Sequence, residues 1–183
     1  TSLLKVLSGE TKQTSGSVLY QGSPFKRNIF GRIKDHKDIN YLDINSVNTS
    51  RTVGQLIKKN FPSKTQQIKS RHFTGFQMEA LWKTPVNLIS GGEKHWLKTV
   101  LGVEKDPRVL LIDDYGLSLD PRTEMILRKK ITKMNNILGT TVILSSHSDY
   151  FLKQFASVII YLDNGHVSKV RKGFKRNSVR KNK

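Results

Sequence analysis

The stretch from Asn87 to Asp120, NLISGGEKHWLKTVLGVEKDPRVLLIDDYGLSLD, restricts the fold more than any other part of the sequence. It holds a serine-glycine-glycine turn, a helix-length segment, a short apolar run ending in two carboxylates, and Ser118-Leu119-Asp120. Ser90, Gly91 and Gly92 stand just ahead of the helical segment. Glycines let the backbone come close to a ligand, and a helix N-terminus presents unpaired N–H groups with partial positive charge. That arrangement suits a phosphate. An ordinary turn capped by Ser90 is the plainer reading of the same residues.

Arg108 to Asp113, after Asp106-Pro107, is a continuous apolar run rich in branched residues. Such a run reads as a strand buried on both faces, and hence parallel to its neighbours. Its carboxylates fall at the C-terminal end, where open α/β sheets bind ligands. There Asp113 is placed to hold Mg²⁺, and Asp114 to polarise a water. A strand that simply ends in a solvated Asp-Asp turn is the alternative. A second apolar run, Thr140 to Ser146, ends at His147 after a helix expected from about Pro121 to Ile137. One strand-helix-strand unit would bring His147 to the sheet end that carries Asp113 and Asp114. A third strand is expected over Ser157 to Asp163, followed by a turn at Asn164-Gly165.

Taken in order, these pieces resemble the ATP-binding-cassette (ABC) ATPases. ISGGE at 89–93 resembles the family's signature loop, and VLLIDD at 109–114 resembles Walker B with the catalytic acid. SLD at 118–120 resembles the D-loop, and SSH at 145–147 the switch-histidine loop. The resemblance extends to about Val170. It implies an α/β fold: a P-loop-type, mostly parallel sheet flanked by helices, with a small helical subdomain at about 46–90. It implies ATP and Mg²⁺ as ligands. Asp113 would organise the metal, Asp114 would act on water, and His147 would contact the γ-phosphate. Two such domains would face each other, with Ser90, Gly91, Gly92 and Glu93 serving the opposite protomer's ATP and Asp120 linking the two sites.

The start of the chain fits the same resemblance. Thr1 and Ser2 match the two hydroxyl positions after the Walker A lysine, ahead of a helix over Leu3 to Ser8 ended by Gly9. By that match Thr1 would reach Mg²⁺ and the β/γ-phosphates, and Ser2 the α-phosphate. The glycine loop and lysine do not appear in the sequence, nor do the strands expected before them. The expectation is a chain cut just past that lysine, lacking a central strand, marginally stable and poor at binding ATP.

Ser15 to Tyr20 alternates like an edge strand before a turn at Gln21-Gly22. Lys26 to Lys37 is a basic loop, read as solvated surface. Asp38 to Leu42 resembles the strand leading to the family's Q-loop, but the expected Gln is replaced by Asp43-Ile44-Asn45. Thr52 to Asn60 has helical spacing and stops at Pro62. Phe73 to Trp82 is expected as a second helix, its aromatics Phe73, Phe76 and Trp82 serving as local core. In the family this subdomain docks a membrane-domain helix or another macromolecule. Asp114 is one methylene shorter than the usual Glu, and Tyr115 stands where Pro is usual, so slow turnover is expected.

The chain has 183 residues, a net charge of +18 and no cysteine. Disulfides and thiolate metal sites are therefore excluded. One domain is expected, over 1–170. Eight basic residues and no acid lie between Lys169 and Lys183, read as a tail without apolar periodicity; 171–183 is taken as a basic disordered tail. Its charge favours an anionic lipid surface or RNA. No apolar run approaches the roughly 20 residues that span a bilayer. The function implied is the nucleotide-binding subunit of an ABC transporter, cytoplasmic and peripheral at the inner face of the membrane, partnered by transmembrane permease domains and a second ABC domain, in a homodimer or an asymmetric heterodimer. GLSLDP at 116–121 favours transport. SHSDYFLKQFAS at 146–157 favours a soluble ABC translation-factor type acting on the ribosome. A degenerate remnant is the third possibility.

Overall fold

The computed structural model describes residues 1–25, 36–43, 47–117 and 119–173. Ile44-Asn45, most of the basic loop at 26–37, Ser118 and the last ten residues of the tail lie outside them. The chain divides into two compact units, Thr1–Ser145 and Ser146–Lys183.

The first unit is built on a three-stranded parallel sheet. β3 (Ile39–Leu42), β4 (Val109–Ile112) and β5 (Thr141–Leu144) lie in the order β3-β4-β5. β4 is central, pairing Val109 with Ile39 on one side and with Thr141 on the other. Leu110, Leu111 and Ile112 are buried, as a strand covered on both faces requires. Helix α1 (Ser2–Ser8) packs on β3 and β4 and ends at Gly9 in the left-handed conformation. Between α1 and β3, β1 (Leu19–Tyr20) and β2 (Ser23–Pro24) form a two-residue hairpin about Gln21 and Gly22, both at positive φ.

Helices α2 (Val53–Asn60), α3 (Thr65–His72) and α4 (Phe76–Lys83) form the helical region. α2 opens with a reciprocal Thr52–Gln55 capping box and buries Val53 and Ile57. The sequence reading expected only one further helix, Phe73 to Trp82. Two are present. α3 carries a single buried aliphatic residue, Ile68, too little periodicity to announce a helix. Gly75, at φ 88, separates α3 from α4. Of the three aromatics expected in the local core, Phe73 is buried and stacks edge-on to Trp82 at 5.1 Å. Phe76 is 92 % exposed. α2 and α4 approach closely because residue 54 is glycine: a Cβ there would lie 2.4 Å from Trp82 Nε1.

α5 (Gly91–Glu104) and α6 (Pro121–Lys133) join the helical region to the sheet. Ile57, Ile68, Phe73, Leu97, Val100 and Leu127 belong to one continuous apolar core. Fully burying each such side chain is worth about 1.5–3 kcal/mol. α6 runs on into a π turn at Met134–Leu138, closed by left-handed Gly139.

A buried charge network crosses three helices. Glu104 on α5 accepts from Arg71 Nη1 at 2.8 Å and lies 2.6 Å from His72 Nε2, both on α3. The other ring nitrogen of His72 meets Lys130 Nζ on α6. The Lys130 ammonium also stands over the Trp96 ring, 4.5 Å from its centroid. Burial lowers Lys130 to about 8 against the opposing pull of Glu104.

The second unit is a hairpin of β6 (Val158–Asp163) and β7 (His166–Lys172), turning through Asn164 and Gly165 at positive φ. Asp149 accepts from Tyr161 Oη at 2.6 Å and pairs with Lys153 at 2.8 Å. β7 corrects the sequence reading, which began the tail at Lys169 and placed 171–183 in it. Val170 faces Ile160 and Val167 faces Leu162 across the hairpin, so strand pairing continues through Lys172.

Candidate functional site

β4 delivers Asp113 to its C-terminal end, where the residue is 3 % exposed. Neighbouring elements supply its donors. Tyr41 on β3 reaches across to Asp113 Oδ2, 3.0 Å from its hydroxyl. The Ser145 hydroxyl, one residue past β5, donates to Oδ1. Thr1, the N-cap of α1, lies beside the same oxygen. Burial alone would raise the Asp113 pKa. Hydrogen bonds from Ser145, Thr1 and Tyr41 outweigh it, and the carboxyl is held below its usual value, ionised at neutral pH. Burial, then donation to Asp113, pushes the Tyr41 phenol upward, so it stays a donor.

Asp114 follows at φ 51, in the left-handed region that Asp tolerates better than most residues. Its N–H donates to Ser145 Oγ at 3.1 Å. Tyr115 turns inward, is 1 % exposed, and donates to the buried Glu124 carboxylate on α6 at 2.8 Å. The Tyr that replaces the family's Pro therefore anchors the acid pair to α6.

The glycine turn takes the form of a helix cap. Ser90 Oγ accepts from Glu93 N–H at 3.2 Å, and the Glu93 carboxylate accepts from Ser90 N–H at 2.8 Å. The plainer reading of this segment holds: Ser90 caps α5, and Gly91 and Gly92 form the exposed or half-exposed first turn of the helix. Asp120 does the same for α6, accepting from Arg122 and Thr123 N–H at 3.0 Å each. Those bonds, Thr123 first, lower its pKa.

Of the residues singled out from sequence, Thr1, Asp113 and Asp114 converge. Ser2 is the exposed first residue of α1. Ser90, Gly91, Gly92 and Glu93 sit together at the start of α5, and Asp120 at the start of α6. His147 is exposed and belongs to the second unit. Sequence reasoning missed Tyr41 and gave Ser145 no role. Strand register is the signal for both. Leu42 pairs with Ile112 and Leu144 with Ile112, so residues at these strand ends flank Asp113.

Mg²⁺ prefers a few hard oxygen ligands and keeps several waters or phosphate oxygens. An ionised Asp113 beside the residue at the head of α1 fits such a partial shell. Among the described residues no group of three or more His, Cys, Asp or Glu forms an all-protein metal cage.

An open α/β sheet with an ionised carboxylate at the end of its central strand is the layout in which proteins of the α/β class hold ligands. Comparison with known proteins specifies it. The profile of the ABC transporter family matches residues 1–115, well over half of the chain, and the chain belongs to that family. The methionine import ATP-binding protein of Bacillus subtilis is 27 % identical over 176 residues, covering 91 % of this chain and 51 % of its own. A spermidine/putrescine import ATP-binding protein of Legionella pneumophila is 25 % identical over 179 residues, covering 93 % and 48 %. The chain thus spans about half the length of the curated relatives it matches. Among solved structures, cbiO1 of Clostridium perfringens, part of the cbiONQ ABC transporter complex, superposes with a TM-score of 0.72 at 21 % identity, covering 93 % of this chain and 71 % of that one. An ATP-binding cassette solved as a dimer in a post-hydrolysis state with ADP and Pi gives 0.75 at 19 % identity, covering 94 % and 81 %. At these identities the structures establish the shared fold.

Proposed function

We propose that the chain forms part of the ATP-binding subunit of an ABC membrane transporter, binding ATP with Mg²⁺ and hydrolysing it slowly. The observation that carries this is Asp113, held ionised at the end of β4 by Tyr41 and Ser145 and placed against Thr1 at the head of α1. Asp113 and Thr1 would hold Mg²⁺, which supplies charge neutralisation for the phosphates. By the family likeness Asp114, on its left-handed turn, would be the base for an attacking water, and His147 would serve the γ-phosphate. Thr1 and Ser2 lie along the phosphates. Ser90, Gly91, Gly92 and Glu93 form a cap that a second ABC domain's ATP meets, and Asp120 ties the two sites together.

The chain's relatives, a methionine import and a spermidine/putrescine import ATP-binding protein, support transport over ribosome action. Among the described residues no helix is long and apolar enough to cross a membrane. The import relatives support attachment at the cytoplasmic face through permease domains, with the basic tail adding attraction to anionic lipid or RNA. ATP turnover of the natural full-length protein tests the assignment. Asp113→Ala should abolish Mg²⁺-dependent nucleotide binding, and Asp114→Asn should abolish turnover while leaving binding intact. Asp114→Glu should raise turnover. Wild-type turnover in the Asp114→Asn protein refutes the assignment of the base.

A further inference from the structure

Ser145 is bonded to four consecutive residues. Its N–H donates to the Ile112 carbonyl at 2.9 Å, and its carbonyl accepts the Tyr115 N–H at 2.8 Å. Its hydroxyl donates to Asp113 Oδ1. The same oxygen accepts the Asp114 N–H at 3.1 Å. The hydroxyl proton goes to the carboxylate, which can only accept, and a lone pair remains for the amide. The residue between these anchors, Asp114, stands at φ 51, a conformation that costs any side chain with a Cβ and persists where its surroundings enforce it.

We propose that Ser145 is the positioning residue of the acid pair: one hydroxyl orients the Asp113 carboxylate as a donor and pins the Asp114 backbone as an acceptor. This rests on the reading of Asp113 and Asp114 as the metal-holding and water-activating acids. The backbone half of the clamp would exist with any residue at 145. The hydroxyl half is what couples the two acids to each other. Tyr41 acts on Asp113 alone. A hydroxyl at 145 therefore sets the relation between the carboxylates, not merely the direction of one.

The test uses the natural full-length protein with Ser145→Ala, Ser145→Thr and Ser145→Cys. Residue-resolved amide exchange by NMR reads the clamp, and electron paramagnetic resonance with Mn²⁺ alone reads the cation site. In Ser145→Ala the Asp114 amide should exchange about tenfold faster, the counterpart of one hydrogen bond. The Tyr115 amide, bonded to the retained carbonyl, should change little. Mn²⁺ affinity should fall about tenfold or more, as for other residues that orient a metal ligand. Ser145→Thr should restore both. If the alanine variant fails to fold, the comparison of wild type with Ser145→Cys decides, since thiol and hydroxyl differ in hydrogen-bond strength and little in shape. Unchanged Asp114 exchange in the Ala or Cys variant overturns the proposal, as does a Thr variant that behaves like Ala. Faster Asp114 exchange in a protein whose wild type binds no Mn²⁺ upholds the clamp and removes the metal reading of Asp113.

Discussion

Replacing His95 by leucine is expected to stabilise the chain and to flatten its response to acid. The ring is 1 % exposed on α5, and neither nitrogen has a hydrogen-bond partner among the described residues. A buried polar group left unpaired costs about 1–3 kcal/mol, and leucine occupies a similar volume without that cost. The substitution forfeits an edge-on contact with Tyr115, whose ring centroid is 6.0 Å away, worth about 0.5–1.5 kcal/mol. The net gain at pH 7 is therefore about 1 kcal/mol. The effect of acid is larger. Burial first, and the Lys98 charge second, lower the His95 imidazole from 6.5 to about 4. Between those values the unfolded chain binds a proton that the folded chain refuses. Stability is thus fully present above pH 6.5 and drains away as pH falls toward 4. At about 1.4 kcal/mol per pH unit, the loss due to His95 is about 3 kcal/mol. Leucine has no proton to take up, so the gap between variant and wild type should widen to about 4 kcal/mol near pH 4. His72, also lowered chiefly by burial, titrates in both proteins and cancels in the difference. Urea denaturation at a series of pH values, extrapolated linearly, supplies both curves. A leucine variant less stable than wild type at pH 7, with a gap that stays constant into acid, refutes the reasoning.

Glu104→Gln removes the charge that holds Arg71 and His72. Most of the cost falls on the buried His72 half, because the Arg71 side chain is largely in solvent. A loss of about 3 kcal/mol is expected, seen as a fall of roughly 6–12 °C in melting temperature; a shift under 2 °C would show that the network contributes little. Gly102→Ala would place a Cβ 2.6 Å from Leu42 Cδ1. It should cost about 1–3 kcal/mol in denaturant unfolding and be partly relieved by Leu42→Val. Full tolerance would mean that α5 moves freely against β3.

The sheet was legible because β4 and β5 are uninterrupted apolar runs; β4 is buried as such a run implies, whereas β5 is exposed or half-exposed along its length and was marked by its branched residues alone. α2 was legible from a cap, a periodicity and a proline. α3 was not, since its sequence TQQIKSRH is polar on nearly every face and its helix is held by the residues on either side of it. β7 was hidden for a related reason. Its valines are spaced by a bulge between Tyr161 and Leu162 that breaks strict alternation. At the candidate site, carboxylates announce themselves by type and order, and Asp113 with Thr1 could be named in advance. Hydroxyls do not. Tyr41 and Ser145 became visible only once the register of three strands was known, because strand pairing decides which hydroxyl reaches which acid.

The chain carries a net charge of +18, and the repulsion between copies reaches about 10 Å at 0.1 M salt and about 3 Å at 1 M. Ionic strength therefore sets how closely molecules of this protein approach one another in a concentrated solution.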